Sequence, residues 1–158
     1  MADWVTLNSD YLQRRMRLEW PKLRDAANRA ANDSTAFDTM VTDVLSDVVN
    51  RVRGSVAANR ANTLGAEGTV PPELSGAAVA LARVELVSTI PGLVSLSDDT
   101  RKSLVETANK QLADAAAGKL AITPPANAAT SAPDPAQGVY GGDTALIFPD
   151  TDTEDSAS

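Results

Sequence analysis

The clearest pattern along the chain is the run Phe37, Met40, Val41, Val44, Leu45, Val48, Val49, Val52 and Val56, in which apolar residues return every three or four positions. That period gathers them on one face of an α-helix, while Asp38, Thr42, Asp43, Asp47, Asn50 and Arg53 fall mostly on the other. The run predicts a helix from about Thr35 to Ala58, on the order of 36 Å long. Its many valines are poor helix formers, so packing rather than propensity must hold it.

Other helices flank it. Asn8-Ser9-Asp10 offers capping oxygens for a short helix through Tyr11, Leu12 and Met16. Pro21 suits the first turn of a second helix, through Leu23 and Ala26 to about Ala30, with Asn32-Asp33-Ser34 breaking it. A loop with Gly65 and Gly68 spans Asn59 to Val70. Pro71-Pro72-Glu73 then opens a fourth helix, apolar all round from Gly76 to Ala82 and ended by Pro91-Gly92. A helix with no polar face predicts enclosure by neighbours. Ser97 caps a fifth helix, with Asp98 and Asp99 in its first turn, Leu104, Val105, Ala108, Leu112 and Ala115 as its stripe, and Gly118 as its stop. The expected fold is therefore all-α: a bundle of about five helices over residues 9–118, with essentially no sheet.

Beyond Lys119 the composition changes. The chain divides into a helical domain, 1–119, and a long extended Pro-rich, acidic C-terminal tail, 120–158. The tail reads as a tether (120–137) with Pro124, Pro125, Pro133 and Pro135, an apolar docking segment (138–149), and an acidic end (150–158). Eighteen tether residues at about 3.1 Å each could span roughly 55 Å. The tether would deliver Tyr140, Leu146, Ile147 and Phe148, with Gly141-Gly142 permitting a bend. Three consecutive large apolar residues in an acidic tail need cover. Either they fold back onto their own domain or, the preferred reading, they dock on another chain by strand addition or in an apolar groove.

Charge sharpens this division. The net charge is −7, with every Lys and Arg lying between Arg14 and Lys119, and residues 1–119 hold 15 acids against these 14 bases. The other six acids sit in 120–158 with no base among them. A near-neutral body with an acidic tail lacks the basic patch that nucleic-acid binding requires and fits an interaction tail. The densest basic group, Arg14, Arg15 and Arg17, reads as a solvated or subunit-contacting face rather than a phosphate grip. The N-terminus has neither the basic nor the apolar region of a signal peptide, and Ala77 to Ala82 is too short to span a bilayer. A soluble protein of a cytoplasm-like compartment is expected.

Candidate chemistry is sparse. With no Cys there is no disulfide or thiolate chemistry, and with no His the commonest general base and metal ligand is missing. Asp98-Asp99 reads as an acidic helix start rather than a paired-carboxylate site. Asp150, Asp152, Glu154 and Asp155 lack the spacing of a calcium loop. Trp4 and Trp20 read as core or interface anchors. Arg83 and Glu85 interrupt the apolar fourth helix and fit either a buried or subunit-interface ion pair or plain helix-edge exposure. No catalytic residue, cofactor or metal site is expected, and the chain reads as an assembly protein rather than an enzyme.

The opening Trp4-Val-Thr-Leu-Asn-Ser-Asp-Tyr-Leu, the triplet Val52-Arg53-Gly54, the stretch Asn62-Thr-Leu-Gly-Ala-Glu-Gly-Thr-Val-Pro-Pro-Glu-Leu74, Ala78 to Arg83, and Ala117-Gly-Lys119 occur in series over about residues 4–122. In that order they resemble the head–tail adaptor, or head-completion, proteins of tailed phages and gene transfer particles. The resemblance implies a helical-bundle adaptor at the particle neck, assembled in the bacterial cytoplasm as a homo-oligomeric, commonly dodecameric ring. Its implied partners are the portal protein, the next neck or tail component (a stopper or tail terminator), and DNA only as passing cargo; no membrane is involved. A near-neutral body suits a channel wall, since a basic lining would bind the passing phosphates. The competing readings are a ring-forming packaging subunit of small-terminase type, for which no basic helix-turn-helix is visible, and a helical assembly module outside phages.

Overall fold

A computed structural model describes residues 3–90 and 97–126. The chain is mainly helical, in the order β1 (Val5–Thr6), α1 (Ser9–Arg15), α2 (Trp20–Ala31), α3 (Ala36–Ala58), β2 (Thr69–Val70), α4 (Ser75–Thr89) and α5 (Asp98–Ala116).

Local chemistry sets most of these bounds. The Asn8 side chain accepts the Tyr11 N–H at 2.8 Å and starts α1. Pro21 lies in the first turn of α2, and Asn32 ends that helix in the left-handed conformation, φ 51°. Asn28 then spans the α2–α3 turn, accepting the Phe37 N–H at 3.0 Å and donating to the Ser34 carbonyl at 3.0 Å. It thus does for α3 what Thr35, whose side chain makes no cap bond, does not. Ser97 accepts the Thr100 N–H to open α5, and Gly118 closes it at φ +72°. A single 3-10 turn, Pro72–Leu74, precedes α4, so the two prolines lead into the α-helix rather than form its first turn. The expected stop at Pro91-Gly92 lies outside the described residues; α4 ends at Thr89.

The long helix α3 is central, packing against α2, α4 and α5. Its apolar stripe is the core: Phe37, Val41, Val48, Val52 and Val56 are almost wholly buried. Each such side chain contributes about 1.5–3 kcal/mol by leaving water, which offsets the weak helix propensity of the valines. Trp20 of α2 meets Phe37 edge to face, centroids 4.9 Å apart. Arg51 of α3 reaches Asn109 of α5 at 2.8 Å.

Two features depart from the sequence-based picture. A small antiparallel ladder pairs Val5 with Val70 and Thr6 with Thr69. All four residues are β-branched and suited to extended backbone, and pairing satisfies amide groups that would otherwise be lost where Thr69 and Val70 are buried. The helix α4 buries Ala77, Ala78, Leu81 and Ala82 as expected, yet on its other side Gly76 is exposed and Val79 and Ala80 are only partly covered.

Candidate functional site

The two ends of the described chain meet at one place, and a single side chain organises it. Arg53, near the end of α3, aims its guanidinium into the 59–70 loop. It donates to the carbonyls of Gly65 at 3.2 Å, Ala66 at 2.7 Å and Thr69 at 3.2 Å. A planar fork of donors can serve several carbonyls at once, which a lysine ammonium does less well. Thr69 adds a hydroxyl bond to the Ala66 carbonyl at 2.6 Å. The loop, with no helix of its own, is thereby fixed.

Trp4 packs on this loop. A Cβ built at Gly65 would lie 2.7 and 2.8 Å from Trp4 ring carbons, so only glycine admits the indole there. The indole N–H donates to the Thr123 carbonyl at 2.9 Å, across 119 residues of sequence. Glu73, just before α4, accepts the Thr123 N–H at 3.2 Å and also its hydroxyl. Leu120 and Ile122 pack against the core, and Pro125 is buried. Residues 120–126, read from sequence as the start of the tether, therefore lie against the body. The polyproline argument missed this because it weighed Pro124 and Pro125 by backbone preference alone. The apolar Leu120 and Ile122 just before them were the available signal.

Arg83 is half-buried on α4, and its guanidinium pairs with the Glu19 carboxylate through both nitrogens, Nε–Oε2 being 2.8 Å. This fork-to-fork pair joins α4 to the α1–α2 turn within the chain. Glu85 is exposed. The pair does not join Arg83 to Glu85, which sequence reasoning had set side by side. Glu19, 64 residues away, gave no sign of itself. The other expected site residues, Tyr140, Leu146, Ile147 and Phe148, lie outside the described residues, as do the docking segment and acidic end.

Beside the Arg83–Glu19 pair runs an open groove of about 580 Å³. Gly76, Val79 and Ala80 of α4 and Leu104 of α5 line it together with the turn from Arg14 to Glu19. Leu18 in that turn is 88% exposed, the one large apolar side chain so displayed among the described residues. Arg15 stacks over Tyr11, 5.4 Å from the ring centroid, and Arg14 donates to the Asp10 carbonyl at 3.3 Å. Among the described residues, Arg14, Arg15 and Arg17 form no ion pair with a carboxylate.

No group of three or more carboxylates among the described residues is placed to hold a metal ion. No described helix is long and apolar enough to cross a membrane. What the arrangement can do is hold residues 120–126 against the body and, separately, offer a largely apolar groove with arginines in its lining. Compared with protein-family models, with curated proteins and with solved structures, the chain matches none.

Proposed function

We propose that this chain is a head–tail adaptor of a tailed phage or phage-like particle, forming a ring beneath the portal and joining it to the next neck component. The observation that carries the reading is the serial order of the adaptor-like motifs over residues 4–122. Their placement adds support. Trp4 from the first motif, Arg53 from the second and Gly65 and Glu73 from the third converge on one junction, which holds Thr123. Motifs that carry no chemistry make physical sense as the parts of a clamp.

In this reading the body is the ring segment and the tail is the grip. The apolar residues Tyr140, Leu146, Ile147 and Phe148 dock on the portal or an adjoining subunit, and Glu85, exposed on α4, faces a neighbouring subunit. Burial of Leu146, Ile147 and Phe148 contributes about 1.5–3 kcal/mol each before ordering costs, and repetition around a ring multiplies a modest surplus. Mixing the purified chain with portal-containing heads tests both parts. The mass of the complex should correspond to a ring of copies per portal. The variant Ile147→Asp with Phe148→Asp should keep its helical fold but fail to stay attached. Attachment of this variant at unchanged efficiency would make the tail a passive appendage. Absence of any ring on or off the portal would remove the adaptor reading itself.

A further inference from the structure

The groove between α4 and the Arg14–Glu19 turn has features that nothing in the adaptor reading uses. It is apolar along Val79, Ala80, Leu104 and the exposed Leu18, and its edge carries Arg14, Arg15 and Arg17 with no carboxylate paired to them among the described residues. The sequence contains one segment of matching chemistry: Leu146, Ile147 and Phe148, followed within a few residues by Asp150, Asp152, Glu154 and Asp155. No base lies between residues 120 and 158 to neutralise those acids. We propose that this groove is the intramolecular seat of the chain's own 146–155 segment, its three apolar side chains against α4 and Leu18 and its acids facing the three arginines.

Reach and concentration decide for the chain's own tail over a second copy. Residues 120–126 lie against the body, and about twenty residues separate Ala126 from Leu146, enough at about 3.1 Å each to span roughly 60 Å. A body of this size has a radius of gyration of about 14 Å, so the linker reaches any part of its surface. A link of this length holds the tethered segment at an effective concentration far above that of other copies in dilute solution. The groove's volume lies in the range of sites that enclose ligand-sized groups. The seat keeps the apolar residues covered on the free subunit, and a partner with a better site displaces them. The proposal concerns the isolated chain and stands whether or not the partner is a portal.

The absence of cysteine makes the test clean. In the full-length chain, Val79→Cys combined with Ile147→Cys is oxidised at micromolar concentration. The expected result is a cross-link within the monomer, formed at least tenfold more than by the pair Arg60→Cys and Ile147→Cys, whose first member lies exposed in the 59–70 loop. Adding Arg14→Glu and Arg17→Glu should lower the yield severalfold. An equal mixture of the two single-cysteine chains should give little covalent dimer. Cross-linking no better than at the Arg60 control overturns the seat, and dominant dimer in the mixture shows that a second copy fills it instead. As an independent reading, Ile147→Asp with Phe148→Asp should shift the amide resonances of Leu18, Val79 and Ala80 in the full-length chain. Unmoved resonances would also overturn the proposal. Because no portal is present, none of these outcomes bears on the adaptor reading.

Discussion

Individual residues carry unusual weight at the Trp4–Arg53 junction. Gly65→Ala would drive a methyl into the indole of Trp4, and overpacking of this kind costs about 1–3 kcal/mol. Thermal melts should show that loss, and the smaller ring of Trp4→Phe should relieve part of it, so the two changes will not add. A Gly65→Ala chain that melts like the parent would show that the indole is not wedged. Arg53→Ala should cost about 1–3 kcal/mol in denaturant unfolding, because buried carbonyls of the loop lose their donor. Asp33 gives a pH signature. Its carboxylate accepts the Thr35 N–H at 2.8 Å and the Thr35 hydroxyl at 2.9 Å, which holds its pKa below the ordinary aspartate range. The stability this confers is fully present above the ordinary aspartate value near 4 and is lost as pH falls through the lowered folded value. A carboxyl resonance titration should place the Asp33 midpoint below those of exposed aspartates, and Asp33→Asn should remove that part of the acid dependence.

At the scale of elements, the helices were legible because each is written in local terms. The period from Phe37 to Val56, the Asn8 and Ser97 caps and the Gly118 stop depend on residues a few positions apart, and the observed α3 starts one residue from the expected bound. What sequence did not reveal depends on distant partners. The β1–β2 ladder needs Val5 and Val70 to meet, the Arg83 pair needs Glu19, and the clamp needs Trp4, Gly65 and Thr123 together. No periodicity encodes such meetings. The Val52-Arg53-Gly54 and Asn62–Leu74 stretches contain Arg53 and Gly65 but give no sign that the two meet. The tail boundary follows the same logic. A chain ending at Lys119 should lose stability relative to one ending at Ala126, since it gives up Leu120, Ile122 and the Thr123 bonds to Trp4 and Glu73. Denaturant midpoints should separate the two. Equal midpoints would mean that residues 120–126 contribute nothing to the body. Truncating Phe37 to Ala should cost about 3–5 kcal/mol, because the ring is fully buried against Trp20 at the α2–α3 crossing.

For the whole molecule, the helices enclose a core centred on α3, and residues 120–126 add their contacts to it. Far-ultraviolet circular dichroism should be helix-dominated in the full-length chain and little changed by Ile147→Asp with Phe148→Asp, since the described helices lie within residues 9–116. A large loss of ellipticity in that variant would mean that the tail is part of the fold's support. The uneven charge has a counterpart here. The acids of the tail and Arg14, Arg15 and Arg17 of the groove, which pair with no carboxylate among the described residues, belong to one chain, so raising salt should weaken any contact between them while leaving the core of α3 untouched.

The bond between Trp4 and Thr123 has a mechanical side. Tension applied through the tail enters the body at Thr123, beyond the C-terminal end of α5. Before α5 can be peeled from its last turn, the pull must break the indole bond to Trp4 and the Glu73 contacts. Those anchors in turn lean on the loop gripped by Arg53 and on the β1–β2 ladder. The load is thus shared sideways among elements from both ends and the middle of the sequence. Such a coupling resists a steady pull better than a helix end unravelling one turn at a time. A subunit held to its neighbours by its tail would yield at the grip before it yields in its own fold.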